Sequence, residues 1–580
     1  MTPVDIDGPQ PVPPASTMIA PVESQSISPA AAHDNQHARG GWRIDLLLAG
    51  GLALLAFAVR WPYLWTIPRF TDETLEVLHS LAIVRDGARP LTNYDSYYGA
   101  LYNYLVAAAL AVSGQSPLAP RAVVLVAGIL TVVATYALGV EVARRLPGLS
   151  TTGHRLVGLL AAALLATNGP HVVVNSHIAW SNCLTPLFTT LAFWALLQSS
   201  RADAPSPPFP LSRARERGRG GEGHLHWLLP LAGMLLGLAL QTHPLVVALL
   251  PGIALGVLLR DWRIVRTPWP WLAIVMFLIG YSNVLAYNAG QGFESLTSAQ
   301  RMRSEYAQDD ASSSGYVPTA GAMLLLLGRI VSGAVDQRDS TAEYLADPGV
   351  WIVGGLALAG LGLLASRRAL TPLLACASLL LILPAVNPKF QTLLTSRYLM
   401  AIVPLLFACA ALGLVWVVTL ALRRWPGNRR RPLVAALLIG LFLAGLPLLS
   451  LDRYYQRALD RTDTNARILK LTREIEAARQ PGEQVLVDES IGSELPDTGV
   501  TELRGLEHLL VFQRVPYRTL RPSPGRLQDS LDDQPTALAI LNARDAESAR
   551  SRVQVESLDP RPPVETGRMF DFRLYRLRRS

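Results

Sequence analysis

Apolar runs separated by short polar connections fill the chain from residue 44 to residue 450, and then the pattern stops. The runs lie at 44–59, 100–112, 122–142, 156–168, 184–197, 228–240, 245–259, 269–287, 350–364, 370–385, 399–422 and 433–449. About 20 apolar residues cross a hydrocarbon core roughly 30 Å thick. The pattern therefore predicts an all-α polytopic membrane domain of about 11–13 transmembrane helices. A further run at 321–335 is interrupted by Arg329 and reads as interfacial.

Beyond Leu451 the character changes. Residues 452–580 are charged and not hydrophobic enough to span. Residues 466–478 have helical spacing with interleaved acidic and basic residues, while 484–487, 537–541 and 572–577 read as short strands between turns. The expected organisation is a disordered cytoplasmic tail at 1–41 and a transmembrane domain at 42–451. A small soluble α/β domain at 452–580 follows, on the periplasmic side. Within the membrane domain, 61–99 forms the first outer loop, and the Pro-, Arg- and Gly-rich 201–226 segment forms a cytoplasmic linker.

Composition agrees. Half of the 580 residues are hydrophobic and 17% are charged, where a soluble protein carries nearer a quarter. The net charge of +8 comes from arginines set between apolar runs, such as Arg144, Arg145, Arg367, Arg368, Arg423 and Arg424. The positive-inside rule accounts for that placement and nucleic-acid binding does not. With the amino terminus inside, residues 68–98 lie outside. The 201–226 linker is then cytoplasmic only if one of the two runs between 100 and 142 does not cross alone. Cys183, Cys376 and Cys409 sit in or beside apolar runs without CxxC spacing and read as small hydrophobes. No Walker A loop and no GxGxxG between a strand and a helix is present, so nucleotide-driven chemistry is not supported.

The sharpest chemical signal is the run Pro68-Arg69-Phe70-Thr71-Asp72-Glu73, just past the first span. A carboxylate partly desolvated at an interface has a raised pKa and can act as a general base, or it can ligate a divalent cation. The same residues also suit a helix start, with Thr71 or Asp72 as N-cap and Glu73 in the first turn. Tyr94, Asp95, Tyr97, Tyr98, Tyr102 and Tyr104 follow; they suit a sugar-binding face and equally an aromatic belt. His171, His177 and His243 fall near span ends, as hydrogen-bonding partners for a ligand or as satisfied interfacial histidines.

The order Arg69-x-x-Asp72-Glu73, helix, Asp86-Gly87, then Tyr94-x-x-Tyr97-Tyr98-Gly99-Ala100-Leu101-Tyr102 entering an apolar run resembles the first outer loop of the GT-C glycosyltransferases. The likeness is to the branch with protein O-mannosyltransferases and lipid A aminoarabinose transferases. Residues 168–182 resemble that family's second outer loop, and Ser396-Arg397-Tyr398 through Pro404 its later Arg-Tyr…Pro segment. Three positions depart from the family pattern: Gly99-Ala100 where a proline pair is common, Asn182 where many members have aspartate, and Leu75-Glu76 where a tyrosine is common.

The resemblance implies a membrane glycosyltransferase of the plasma membrane with its active site at the periplasmic face. It would move a sugar from a polyprenyl-phosphate donor to a lipid, glycan or protein acceptor. Asp72 would be the general base of an inverting displacement, with Glu73 positioning it or sharing a divalent metal ion with it. Arg397, then Lys389 and Arg69, would receive the donor phosphate, though Arg397 also reads as an arginine snorkelling at the outer edge. Tyr97, Tyr98, His177 and Tyr398 would bind substrate. A multi-span transporter or lipid flippase is the alternative; such proteins commonly carry matched internal repeats, and none is visible here.

Overall fold

The computed structural model describes residues 29–65, 73–200, 226–309, 315–335, 343, 345–390, 392–422, 430–461, 464–491, 502–531, 534–559 and 572–579. The expected linker at 201–226 lies outside these residues except for His226, as does most of the expected tail. The chain divides into two compact units, Met1–Leu48 and Ala49–Ser580. The described part of the first is the beginning of helix α1 (Pro29–Arg60), which starts inside the segment expected to be disordered. The second unit holds everything considered below.

Among the described residues, five helices are long and apolar enough to cross a membrane: Trp42–Arg60, Ala119–Ala143, Pro348–Ser366, Val403–Leu422 and Arg431–Arg457. Two bent pairs raise the number to seven. Five apolar helices are shorter, among them α3 (Leu101–Val112). At 1.5 Å per residue the 12 residues of α3 reach only ~18 Å, well short of the bilayer core. The 25-residue α4 (Ala119–Ala143) reaches ~38 Å and can cross. Length thus agrees with the expectation that one of these two runs does not cross alone.

Small residues bring helix backbones together. Gly233 and Gly237 face the carbonyls of Ala273 and Phe277, and Gly360 and Gly413 face those of Cys409 and Leu356. A Cβ at any of these would collide with backbone, so the close crossing requires glycine, as in other helix pairs packed in lipid.

The segment expected to be a polar outer connection, 171–182, is instead buried throughout. Helix α5 (Thr151–Thr167) breaks, and α6 (Gly169–Ser176) leaves it at 64°. The cause is local. Asn168 caps α6 by accepting from the His171 N–H at 3.0 Å. Pro170 has no N–H to offer the Ala166 carbonyl, and the Gly169 N–H turns to the Gly333 carbonyl. The fully buried Arg60, at the end of α1, supplies the missing donors. Its guanidinium reaches the Ala166 carbonyl at 2.8 Å and the Leu165 carbonyl at 3.4 Å, at the negative end of the α5 dipole.

The carboxyl-terminal domain is a five-stranded sheet in the order β2-β1-β3-β5-β4, with β1 Gln484–Asp488, β2 Tyr517–Leu520, β3 Thr536–Leu541, β4 Val553–Ser557 and β5 Arg573–Arg579. Strands β2, β1 and β3 are parallel, and β5 runs antiparallel to both β3 and β4. Alternation sends Val485, Val487, Leu538 and Ile540 to one face, under helices Thr464–Ala478 and Glu502–Phe512. Leu486, Ala537, Ala539 and Leu541 go to the other, under Pro524–Asp529 and Ala543–Ala549. Strands β2 and β4, half-exposed edges, went unpredicted because an edge carries a weaker apolar pattern.

This domain rests on helix α2 (Glu73–Asp86). The Thr74 hydroxyl donates to the Arg504 carbonyl at 2.9 Å. Arg85 caps the last turn of Glu502–Phe512, donating to the carbonyls of Val511 at 2.9 Å and Phe512 at 3.4 Å.

Candidate active site

Helix α2 begins with two glutamates at i and i+3, which share one helical face. Both are buried, Glu73 at 0% and Glu76 at 5% exposure. Buried carboxylates need partners, and the two find different kinds.

Glu73 Oε1 meets Arg121 Nη2 at 2.8 Å, and its Oε2 accepts the Ala179 N–H at 2.6 Å. Arg121 also donates to the carbonyls of Leu64 at 2.7 Å and Trp65 at 3.2 Å. This ion pair ties the start of α2 to α4 and to the chain after α6. Both Glu73 oxygens are thereby engaged by donors. Asp72 and Arg69 lie outside the described residues. Among the described residues no group of three His, Cys, Asp or Glu side chains is placed to hold a metal ion.

Glu76 accepts the Ser181 N–H at 2.7 Å and the Ser181 hydroxyl at 3.2 Å. Among the described residues no cation lies within ion-pair distance of it. Burial pushes its carboxyl up to about 7, against hydrogen bonds and the Arg397 charge that pull it down.

Arg397 sits in a 3₁₀ turn, Leu393–Tyr398. Its guanidinium lies 4.2 Å from the centre of the Trp180 ring and 5.1 Å from that of Tyr398. One Nη donates to the Tyr398 hydroxyl at 3.3 Å. Among the described residues its buried Nε has no hydrogen-bond partner.

His243 adds a second open donor. Its Nδ1 accepts the Leu245 N–H at 3.2 Å, so the neutral ring carries its proton on Nε2. That nitrogen is buried and has no hydrogen-bond partner among the described residues. Burial, helped by the Arg397 charge, lowers His243 to about 3, which keeps the ring neutral. The ring stands 5.4 Å from Tyr398 and 6.0 Å from Tyr98. Tyr98 in turn packs on Tyr94 and Tyr97.

The structure thus brings together Arg397, Tyr398, Tyr97 and Tyr98 of the sequence-predicted set. Tyr97 donates to Asp95 at 2.8 Å. Lys389 is half-buried after the Thr371–Val386 helix. His177 belongs to a different cluster: its Nε2 meets the Arg60 carbonyl at 2.6 Å and its ring stacks on Tyr455. Sequence reasoning did not single out Arg121, Trp180 or Glu76. Trp180 lies in the 168–182 stretch that resembles an outer loop, and Glu76 is a second acid one turn after Glu73.

No family model matches the sequence, and no curated protein matches it either. Solved structures of similar fold include two of one protein. One is ArnT from Cupriavidus metallidurans bound to undecaprenyl phosphate, with a TM-score of 0.55 and 13% identity over 93% of this chain and 98% of that one. The other is the same protein in the apo state, with a TM-score of 0.54 and 12% identity over the same shares. The helical bundle with its carboxyl-terminal sheet therefore has the GT-C fold that the sequence motifs resemble.

Proposed function

We propose that this chain is a membrane glycosyltransferase that moves a sugar from a polyprenyl-phosphate-linked donor to an acceptor hydroxyl at the outer face of the plasma membrane. The observation that carries this reading is a pair of buried donors, Arg397 Nε and His243 Nε2, that lack hydrogen-bond partners among the described residues and lie beside aromatic rings. One is cationic and the other is a neutral N–H, so together they suit an anion. The aromatic rings around them suit a sugar. A solved structure of similar fold holds undecaprenyl phosphate.

In this reading the donor phosphate lies against Arg397, with His243 as a second hydrogen-bond donor. Asp72 takes the proton from the acceptor hydroxyl as its oxygen attacks the anomeric carbon. The new C–O bond forms as the bond to the phosphate oxygen breaks, so a single displacement inverts the anomeric centre. The electron pair leaves with the polyprenyl phosphate, and Arg397 meets the charge that develops there. Glu73, locked by Arg121 and the Ala179 N–H, anchors the start of α2 directly after Asp72. Lys389 and Arg69 are further cations for the phosphate, and Tyr97, Tyr98 and Tyr398 are contacts for the sugar.

The test is Asp72→Asn, assayed with a defined polyprenyl-phosphate sugar. Transfer should fall by about 10²–10⁴-fold, the usual contribution of a general base, in protein that still inserts and purifies normally. Transfer retained at the wild-type rate would remove Asp72 from the mechanism.

A further inference from the structure

Glu76 has a place in the donor site that the transfer chemistry above does not use. Its oxygens hold both the N–H and the hydroxyl of Ser181. The preceding residue, Trp180, is the ring on which Arg397 lies at 4.2 Å. A carboxylate on α2 therefore holds the backbone beside the platform that carries the phosphate-binding guanidinium. Glu76 is itself held from behind: Asn103 on α3 donates to its carbonyl at 2.8 Å and to Asn93 Oδ1 at 3.0 Å.

We propose that Glu76 is a positioning residue of the donor site, fixing Trp180 beneath Arg397 through Ser181 and setting by its own charge how strongly Arg397 attracts a phosphate. The inference rests on the donor reading above.

The groups around it leave Glu76 as the one that changes charge near neutrality. From the 3₁₀ turn it is faced by Arg397, from the loop before α3 by Tyr94 and Tyr98, from α3 by Tyr102, and from the Ser181–Leu184 turn by Cys183. Burial raises Tyr94 and Tyr98 well above neutrality. His243, which faces Arg397, stays neutral. The Glu76 carboxyl, held up to about 7 by burial, is mostly neutral below that value and mostly ionised above it. Ionisation places a negative charge beside a site built for an anion. Affinity for a phosphate should therefore be highest on the acid side and fall as pH rises through neutrality.

The experiment measures binding of a short-chain polyprenyl phosphate methyl ester to the full-length detergent-purified protein. A phosphodiester keeps one charge across the range, so its own titration does not intrude. Wild type should bind roughly tenfold more weakly at about pH 8.5 than at about pH 6. That is the effect of one charge about 10 Å away at an effective dielectric near 20. Glu76→Gln keeps both Ser181 contacts, because its oxygen accepts and its amide donates. It should bind equally at both pH values and close to the wild-type acid-side affinity. Glu76→Ala loses the anchor and should bind more weakly at both, a loss that the glutamine variant does not share. A pH dependence that survives in Glu76→Gln overturns the charge role, and Glu76→Ala binding like Glu76→Gln overturns the anchoring role. Wild-type binding that is equal at both pH values sinks this proposal while leaving the donor reading in place. Absence of wild-type binding at either pH sinks the donor reading itself.

Discussion

Glu73 and Glu76 stand one turn apart on the same buried face of α2, yet their surroundings differ in kind. Both Glu73 oxygens meet donors: Arg121 supplies charge and Ala179 an N–H, and the carbonyls of Leu64 and Trp65 take further Arg121 protons. Glu76 feels the charge of Arg397, which lies on the Trp180 ring, and among the described residues the buried Arg397 Nε has no hydrogen-bond partner. A closed pair serves the fold, because the buried carboxylate meets an opposite charge. An open one carries desolvation that a ligand can relieve, which is how a protein stores affinity for an anion. Residue type and burial are alike in the two, so neither alone marks the candidate site. The difference is the ion pair, which Glu73 makes and which Glu76 lacks among the described residues.

Substitutions can break this contrast, and the largest effect should come from the closed side. Arg121→Ala leaves Glu73 buried and unpaired and should cost about 3–5 kcal/mol of stability, read as early loss of folded protein in a denaturant titration in detergent. Arg397→Ala should behave oppositely. It should weaken donor binding by roughly 10- to 150-fold, corresponding to about 1.5–3 kcal/mol for hydrogen bonds to a charged group, with little change in unfolding. Equal destabilisation by the two variants would erase the distinction between closed and open pairs. Trp180→Leu removes the cation–π contact, worth about 0.5–2 kcal/mol, and should raise the donor KM several-fold with kcat nearly unchanged. The smallest effect should follow Thr74→Val, which deletes one hydrogen bond to the Arg504 carbonyl. It should cost about 1 kcal/mol, measured as a small shift in unfolding of the α2 contact with the carboxyl-terminal domain.

Some of this was readable in advance. The apolar runs at 122–142 and 350–364 became helices Ala119–Ala143 and Pro348–Ser366. The strand patterns at 484–487 and 537–541 became β1 and β3. Arg397, Tyr398 and Tyr98 were singled out, and they do converge. The 171–182 stretch, expected to be a polar outer connection, is buried. Here Asn168, His171 and Ser176 are polar in order to satisfy a helix break inside the bundle.

By itself the amino-acid sequence determined many of the helical, apolar segments and that a smaller mixed α/β region follows them. Those properties repeat every two or 3.6 residues and so are written locally. Only the tertiary structure decided which of two adjacent glutamates is neutralised, that Arg60 completes a broken helix, and that Trp180 underlies Arg397. Each of these depends on groups far apart in the chain, such as Glu73 and Arg121 across 48 positions. Charge compensation in a desolvated interior is settled by which helices meet, and no local period encodes that.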